Sequence, residues 1–266
     1  MALSLESQGV SVAKTAWREP GVACDLFIHH PPSTIHALAQ RIVADQPYDA
    51  IVQPVSTRRK KLLISDMDST MITVECIDEL ADFVGKKREV AEITDRAMNG
   101  ELDFEAALTE RVALLADLPQ SALQECYDER VNMMPGAAAL LQAALKQEMY
   151  CVLVSGGFTF FTSRVRAELG FHADFSNTLE IQHGMLTGRV IPPILGKEAK
   201  LATLQKTCAD LNISPDEVIA IGDGANDLPM LLAAGLGVAY HAKPIVRAQA
   251  NAQLNHCGLD ALIYCL

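Results

Sequence analysis

The chain is short of basic residues. Lys and Arg number 22 against 33 Asp and Glu, a formal net charge of -11. A nucleic-acid binder needs a basic surface to meet phosphates, so that class is excluded. A small anion is not excluded, because one local cation recruits it. No Cys-x-x-Cys pair occurs. The seven cysteines (Cys24, Cys76, Cys126, Cys151, Cys208, Cys257 and Cys265) are odd in number, and most lie in apolar surroundings. That argues for reduced, buried thiols and against a disulfide framework. No span of 18 apolar residues is present, and the N-terminus lacks the basic-then-apolar pattern of a signal peptide. No membrane partner is expected, and the expected compartment is the cytoplasm. Internal repeats and low-complexity segments are also missing.

What is present is an ordinary globular composition. The 266 residues are half apolar and 21% charged, enough for one large domain or two modest ones. The most informative stretch is Leu62-Leu63-Ile64-Ser65-Asp66-Met67-Asp68-Ser69-Thr70. A short apolar run bounded by polar residues reads as a buried parallel strand. Its end then lies where open α/β sheets bind ligands, outside the carboxyl ends of the strands. Asp66 and Asp68 leave one face of an extended chain. Two carboxylates that close are tolerated when a cation lies between them or one is protonated.

Residues 1–58 read as a small β-α-β-like segment: a strand over 22–28, a helix over 35–44 and a second strand over 48–52. His29, His30 and His36 have no Cys or carboxylate set to complete a metal site, so they are expected to face solvent. Arg58-Arg59-Lys60-Lys61 reads as a solvated linker. From Glu75 to Met134 the period becomes helical, with four short helices forming a cap (75–134) inserted into a core made of 59–74 and 135–266. Asp103 suits an N-cap. On the helix it starts, Phe104, Leu108, Arg111 and Leu115 share a face. Arg111 there is either an edge residue reaching water or a guanidinium aimed into a pocket to hold an anion.

After Pro135-Gly136 a helix leads to the buried strand Tyr150–Val154, which ends in Ser155-Gly156-Gly157. Glycines that let backbone N–H groups approach, followed by a helix N-terminus, suit an anion. Residues 179–181 and 186–190 flank His183-Gly184 as a hairpin. Lys200 lies near the start of a helix, where its charge opposes the helix dipole unless an anion compensates it. Val218–Gly222 is a third buried strand, ending in Asp223-Gly224-Ala225-Asn226-Asp227. A helix over 228–233, a strand over 237–240, a helix over 244–252 and another over 259–266 complete the chain. In a parallel sheet with right-handed crossovers the three strand ends share one edge. Several carboxylates, a hydroxyl, backbone N–H groups and a lysine together suit Mg2+-assisted phosphoryl transfer, since Mg2+ prefers hard oxygen ligands.

These four runs resemble the motifs of the haloacid dehalogenase-like hydrolases. Glu75, the Asp103-Phe104…Arg111 helix and Asn226-Asp227-Leu228-Pro229 resemble the phosphoserine phosphatases among them. The resemblance covers about residues 60–266. It implies an α/β fold with a Rossmann-like parallel sheet and a helical cap. It also implies Mg2+-dependent hydrolysis of O-phosphoserine through an aspartyl-phosphate, the last step of serine biosynthesis. By the same resemblance Asp66 is the nucleophile and Asp68 the general acid and base. Mg2+ is held by Asp66, the Asp68 backbone carbonyl and Asp223, with Asp227 in support. Ser155, the Gly156 N–H, Lys200 and Asn226 hold the phosphoryl group. Glu75 receives the ammonium, Arg111 the carboxylate, and Phe104 closes the pocket. Lys197 is the alternative phosphate lysine, and Asp78 and Glu79 compete with Glu75. Residues 1–58 suit a regulatory or homodimerising role. A phosphotransferase or a phosphatase for another small metabolite on the same core, or a regulatory or binding protein working through residues 1–60, is the competing expectation.

Overall fold

Leu62, Leu63 and Ile64 have no solvent exposure because their strand is the middle one of seven. The computed structural model describes all 266 residues. In chain order, helix α1 (Ala2–Ser7), strands β1 (Val12–Glu19) and β2 (Ala23–Ile28) and helix α2 (Pro32–Val43) form an N-terminal unit. Strand β3 (Leu62–Ser65) follows. Four inserted helices come next: α3 (Cys76–Asp82), α4 (Lys87–Met98), α5 (Phe104–Ala113) and α6 (Ser121–Arg130). The chain returns through α7 (Ala137–Lys146), β4 (Tyr150–Phe158) and α8 (Thr159–Leu169) to the hairpin β5 (Ala173–Gln182) and β6 (Met185–Ile191). It ends with α9 (Lys197–Leu211), β7 (Val218–Gly222), α10 (Leu228–Ala233), β8 (Leu236–Tyr240), α11 (Pro244–Arg247), β9 (Ala252–Leu254) and a 3-10 turn over Leu259–Cys265.

The sheet order is β6-β5-β4-β3-β7-β8-β9, parallel throughout except for the β5/β6 hairpin. The two-residue period of a strand divides β3 between the two faces. Leu63 joins the larger apolar cluster, which includes residues of α7, α8 and the inserted helices. Leu62 and Ile64 join the smaller one, with Leu204 of α9 and Met230 of α10. Apolar layers on both faces hold the strand ends still, which a multi-residue site needs. The fold is therefore α/β, as expected. The inserted helices leave and rejoin the core through a short stem in which Ile72 bridges Met133 and the Met134 N–H donates to the Met71 carbonyl at 2.8 Å.

Several expectations are corrected. Residues 48–52 form no strand. A strand needs a ladder partner. Here Ile51 packs against the large core, Ala50 and Val52 pack against the small N-terminal cluster, and the Ala50 carbonyl accepts the Gln40 amide. In place of β-α-β, β1 and β2 pair as an antiparallel hairpin. The basic run is not a solvated linker. Lys60 is buried, donating to the Thr57 and Asp216 carbonyls at 2.8 Å each, and Arg58 bonds the Tyr264 carbonyl and pairs with Asp25. His29 and His30 are exposed as expected, but His36 is half-buried and burial lowers its pKa, favouring the neutral ring. The expected helix over 244–252 ends at Arg247, and Ala252–Leu254 instead adds an edge strand beside β8.

Candidate active site

The site begins where β3 runs out. The Asp66 N–H still donates to the Ile221 carbonyl at 2.9 Å, so the ladder carries Asp66 to the sheet edge beside β7. The chain then folds back on itself, with the N–H groups of Thr70, Met71 and Ile72 all donating to the Met67 carbonyl. Ser69 takes the left-handed conformation in this turn, φ 53°. Asp66 Oδ1 accepts from the Met67 N–H at 2.8 Å and from Lys200 Nζ at 2.8 Å. Lys200, on the first turn of α9, also donates to Asp227 Oδ1 at 2.7 Å. Asp227 Oδ2 takes the N–H groups of Asp223 and Gly224 at 3.2 and 3.1 Å, fixing the loop after β7. The anion that a lysine at a helix start calls for is thus a pair of aspartates.

Asp66, Asp223 and Asp227 bring carboxylate oxygens to within 4.8 Å of one another, all three buried. Burial and Asp227 push the Asp66 carboxyl up to about 8, with Lys200 pulling the other way. Burial, with Glu75, Asp66 and Asp227 around it, drives Asp223 well above the usual carboxylate range. Burial also works to discharge the Lys200 ammonium, but Asp227 and Asp66 outweigh it and raise its pKa. These directions agree if the ammonium keeps its charge and the Asp66 and Asp223 carboxyls resist ionisation. Such a cluster of hard oxygens with surplus negative charge fits a divalent cation such as Mg2+.

Asp68 is held apart from that cluster. Its Oδ1 accepts the Cys76 N–H at 2.8 Å, at the start of α3, and its Oδ2 accepts the Ser155 hydroxyl at 3.1 Å. Ser155 Oγ in turn accepts the Gly157 N–H at 2.8 Å. A Cβ at Gly157 would lie 2.7 Å from Asp68 Oδ2, and one at Gly156 would lie 2.5 Å from the Phe104 ring. Only glycine lets this turn approach both the acid below and the aromatic ring above. The β4/β5 register slips across the turn, between Val154 and Phe158. There Asn177, fully buried, bonds the Gly156 carbonyl at 2.9 Å and the Leu195 N–H at 2.7 Å.

Above the strand ends the inserted helices enclose a cavity of about 550 Å³, its open mouth included. Asp66, Asp68, Glu75, Phe104, Arg111, Ser155, Gly156 and Asn226 line it. Glu75 accepts the Ser69 hydroxyl at 2.5 Å, and burial with Asp68 nearby pushes its carboxyl up to about 8. The Asp103 side chain caps α5 by accepting the Ala106 N–H at 2.9 Å, and Phe104 at the start of α5 and Arg111 two turns along it reach the cavity. Arg111 is only 5% exposed yet pairs with no carboxylate. Its Nε donates to the Ala107 carbonyl at 3.1 Å and its Nη1 to Thr94 Oγ at 2.9 Å. Burial lowers its pKa, but a guanidinium stays charged.

The alternatives named from sequence lie elsewhere. Lys197 is half-exposed and faces Glu198. Glu79 pairs with Lys87 at 2.7 Å, and Asp78 accepts the Thr94 hydroxyl at 2.6 Å. Thr94, Ile77, Met98 and Phe158 of the lining, and Asn177 behind it, were not expected from sequence, whereas Leu108 lines the cavity on the face it shares with Phe104 and Arg111. A threonine on an amphipathic helix and an asparagine inside a strand carry no local signal of such positions.

Comparison with known proteins agrees with this geometry. A family model described as haloacid dehalogenase-like hydrolase matches residues 63–232. A phosphoserine phosphatase of Polaromonas sp. is 51% identical over 208 residues, covering 76% of this chain and 88% of its own. A HAD-family hydrolase of Salmonella enterica serovar Typhi superposes with a TM-score of 0.85 at 31% identity, over 98% of this chain and 91% of that one. A substrate-bound phosphoserine phosphatase complex superposes with a TM-score of 0.75 at 35% identity, over 77% of this chain and 98% of the other. The chain belongs to the haloacid dehalogenase-like hydrolases, the class that a parallel sheet with this acidic edge defines. Within that class its relatives place it in the phosphoserine phosphatase family of enzymes.

Proposed function

We propose that the chain hydrolyses O-phospho-L-serine to L-serine and phosphate with Mg2+, the last step of serine biosynthesis. The observation that carries the reading is a buried Arg111 without a carboxylate partner, in the same cavity as Glu75, Asp66 and Asp68. A phosphorylated amino acid needs a cation for its carboxylate, an anion for its ammonium and a nucleophile at its phosphorus. Arg111 takes the carboxylate and Glu75 the ammonium, each exchanging the cost of its burial for a partner. Phe104 closes over both.

Asp66 attacks phosphorus. A bond forms between its carboxylate oxygen and phosphorus, the bond to the serine oxygen breaks, and that oxygen leaves with the electron pair and a proton from Asp68. The resulting aspartyl-phosphate is hydrolysed by water, which gives a proton back to Asp68 as its oxygen bonds phosphorus and Asp66 is released. The two aspartates suit separate jobs. Asp66 is tied to Lys200, whereas Asp68 is held by one backbone N–H and one hydroxyl. Ser155 turns its hydroxyl to the phosphoryl group once Asp68 carries its own proton, and the Gly156 N–H, Lys200 and Asn226 complete the cradle. Mg2+ would be held by Asp66, the Asp68 carbonyl and Asp223, supported by Asp227. When bound it neutralises the carboxylate excess and polarises the phosphoryl oxygens.

Phosphate release with Mg2+ from phosphoserine, phosphoethanolamine and glycerol phosphate tests this. The first should be the best substrate, because phosphoethanolamine lacks the carboxylate and glycerol phosphate lacks both charged groups. Equal rates on all three would refute the reading. Residues 1–58 contribute nothing to the cavity lining, and the exposed Trp17 on their β1/β2 hairpin suits a regulatory or dimerising role. Sedimentation of the intact chain against one carrying Trp17→Lys, on the exposed hairpin, tests that role.

A further inference from the structure

Thr94 stands between the buried Arg111 and the Asp78 carboxylate. Its hydroxyl oxygen accepts Arg111 Nη1–H at 2.9 Å and lies 2.6 Å from Asp78 Oδ1 and 3.0 Å from the Val90 carbonyl. A hydroxyl has one proton to give. With the guanidinium on a lone pair, that proton goes most favourably to the charged acceptor, Asp78, which makes Thr94 Oγ a better acceptor for Arg111. Asp78 therefore supports the guanidinium through Thr94 without touching it. This matters because an Arg paired directly and bidentately to a protein carboxylate has its fork occupied.

We infer that Thr94 is a positioning residue for substrate selection: it keeps Arg111 off Asp78 and leaves the guanidinium fork open to a carboxylate in the cavity. The inference rests on the reading that Arg111 receives the substrate carboxylate. Two further features fit. Thr94 is 3% exposed, so its hydroxyl has no role in facing solvent. The next residue, Asp95, accepts Lys243 Nζ at 2.6 Å, and Gly100, just beyond α4, has its Cβ direction 3.4 Å from Ala225 beside Asn226. Helix α4 is thus seated on the loop that carries Asp223 and Asn226. Through Thr94 the guanidinium is placed relative to the phosphoryl-binding edge and not merely within its own helix.

The test is a comparison of Thr94→Val, Thr94→Ser and the double variant Thr94→Val/Asp78→Asn, with steady-state kinetics on phosphoserine and on an aryl phosphate that lacks the amino-acid groups. Thr94→Val should raise KM for phosphoserine about tenfold or more, the scale of one hydrogen bond to a charged group. It should leave kcat and the aryl phosphate nearly unchanged. Thr94→Ser should restore the wild-type KM, and removing the Asp78 charge in the Val background should recover most of the loss. An unchanged KM in Thr94→Val, equal losses on both substrates, or no recovery in the double variant would each overturn the inference. A wild-type enzyme that fails to prefer phosphoserine would instead overturn the functional reading beneath it.

Discussion

Lys200 Nζ lies 2.8 Å from Asp66 Oδ1, and the lysine side chain has no solvent exposure at all. The ammonium reaches from the first turn of α9 to the end of the central strand, and its second bond, to Asp227 at 2.7 Å, joins the β7 loop to the same point. One buried cation therefore ties three segments that are remote in sequence. Removing it as Lys200→Met leaves two buried carboxylates without their partner. Loss of one member of a buried pair typically costs about 3–5 kcal/mol. The expected outcome is a lower denaturant midpoint together with lost turnover. A variant as stable as wild type would show that Asp227 is held well enough by the Asp223 and Gly224 N–H groups alone.

Asp66→Asn should separate chemistry from stability. It removes a carboxylate whose ionisation burial already resists, and it keeps an oxygen for Lys200 and the Met67 N–H. Turnover should fall by about a thousandfold or more, while the thermal midpoint stays level or rises. Circular dichroism melts beside phosphate-release assays make the comparison. Residual turnover near wild type would remove Asp66 from the nucleophile's role.

The buried acids also set a pH dependence. Glu75 and Asp66 titrate near 8 in the folded chain against ordinary values of 4.5 and 3.8. Their folded pKa values are raised, so between the two values the folded state holds protons that the unfolded state has released. Stability must then fall as pH rises through that window. With a chelator present, the urea midpoint should decline from about pH 5 to pH 8, and Mg2+ should flatten the slope by binding the ionised cluster. A chelated protein whose midpoint rises across this range would contradict these assignments.

How much of this was legible beforehand differs by region, for physical reasons. Asp66, Asp68, Ser155 and Asp223 could be read because each follows a short apolar run, and a continuous apolar run of strand length is a local signal. Asp103 as a cap and the Phe104–Arg111 stripe were legible for the same reason at helical period. Lys200 was legible only as an imbalance, a cation at a helix start that wanted an anion, and its partner is 134 residues away for Asp66 and 27 for Asp227. Residues 48–52 look like a strand because Ile51 and Val52 are apolar, but tertiary packing and not a ladder uses them. The β9 strand is three residues long, too short for a period to show. Lys60 hides inside a basic run that composition alone paints as solvent-facing.

Close approach at the β4 turn gives a fourth prediction. In Gly157→Ala the new methyl would lie 2.7 Å from Asp68 Oδ2 and 3.0 Å from Ser155 Oγ, so one of them must move. Because Asp68 transfers the proton in the proposed reaction, kcat should drop roughly a hundredfold, the scale of general acid–base catalysis. Stability should change far less. Unaltered kcat would mean that the Asp68 position is not critical to the chemistry.

The central claim is that the cavity reads the carboxylate of an amino-acid substrate beside the nucleophile. Its most direct test is kcat/KM of wild type and Arg111→Ala on phosphoserine and on an aryl phosphate, measured with Mg2+. Loss of a buried charge-assisted contact predicts a fall of about a hundredfold on phosphoserine, carried mainly by KM, with the aryl phosphate changed little. Equal losses on the two substrates, or none on phosphoserine, would contradict the claim.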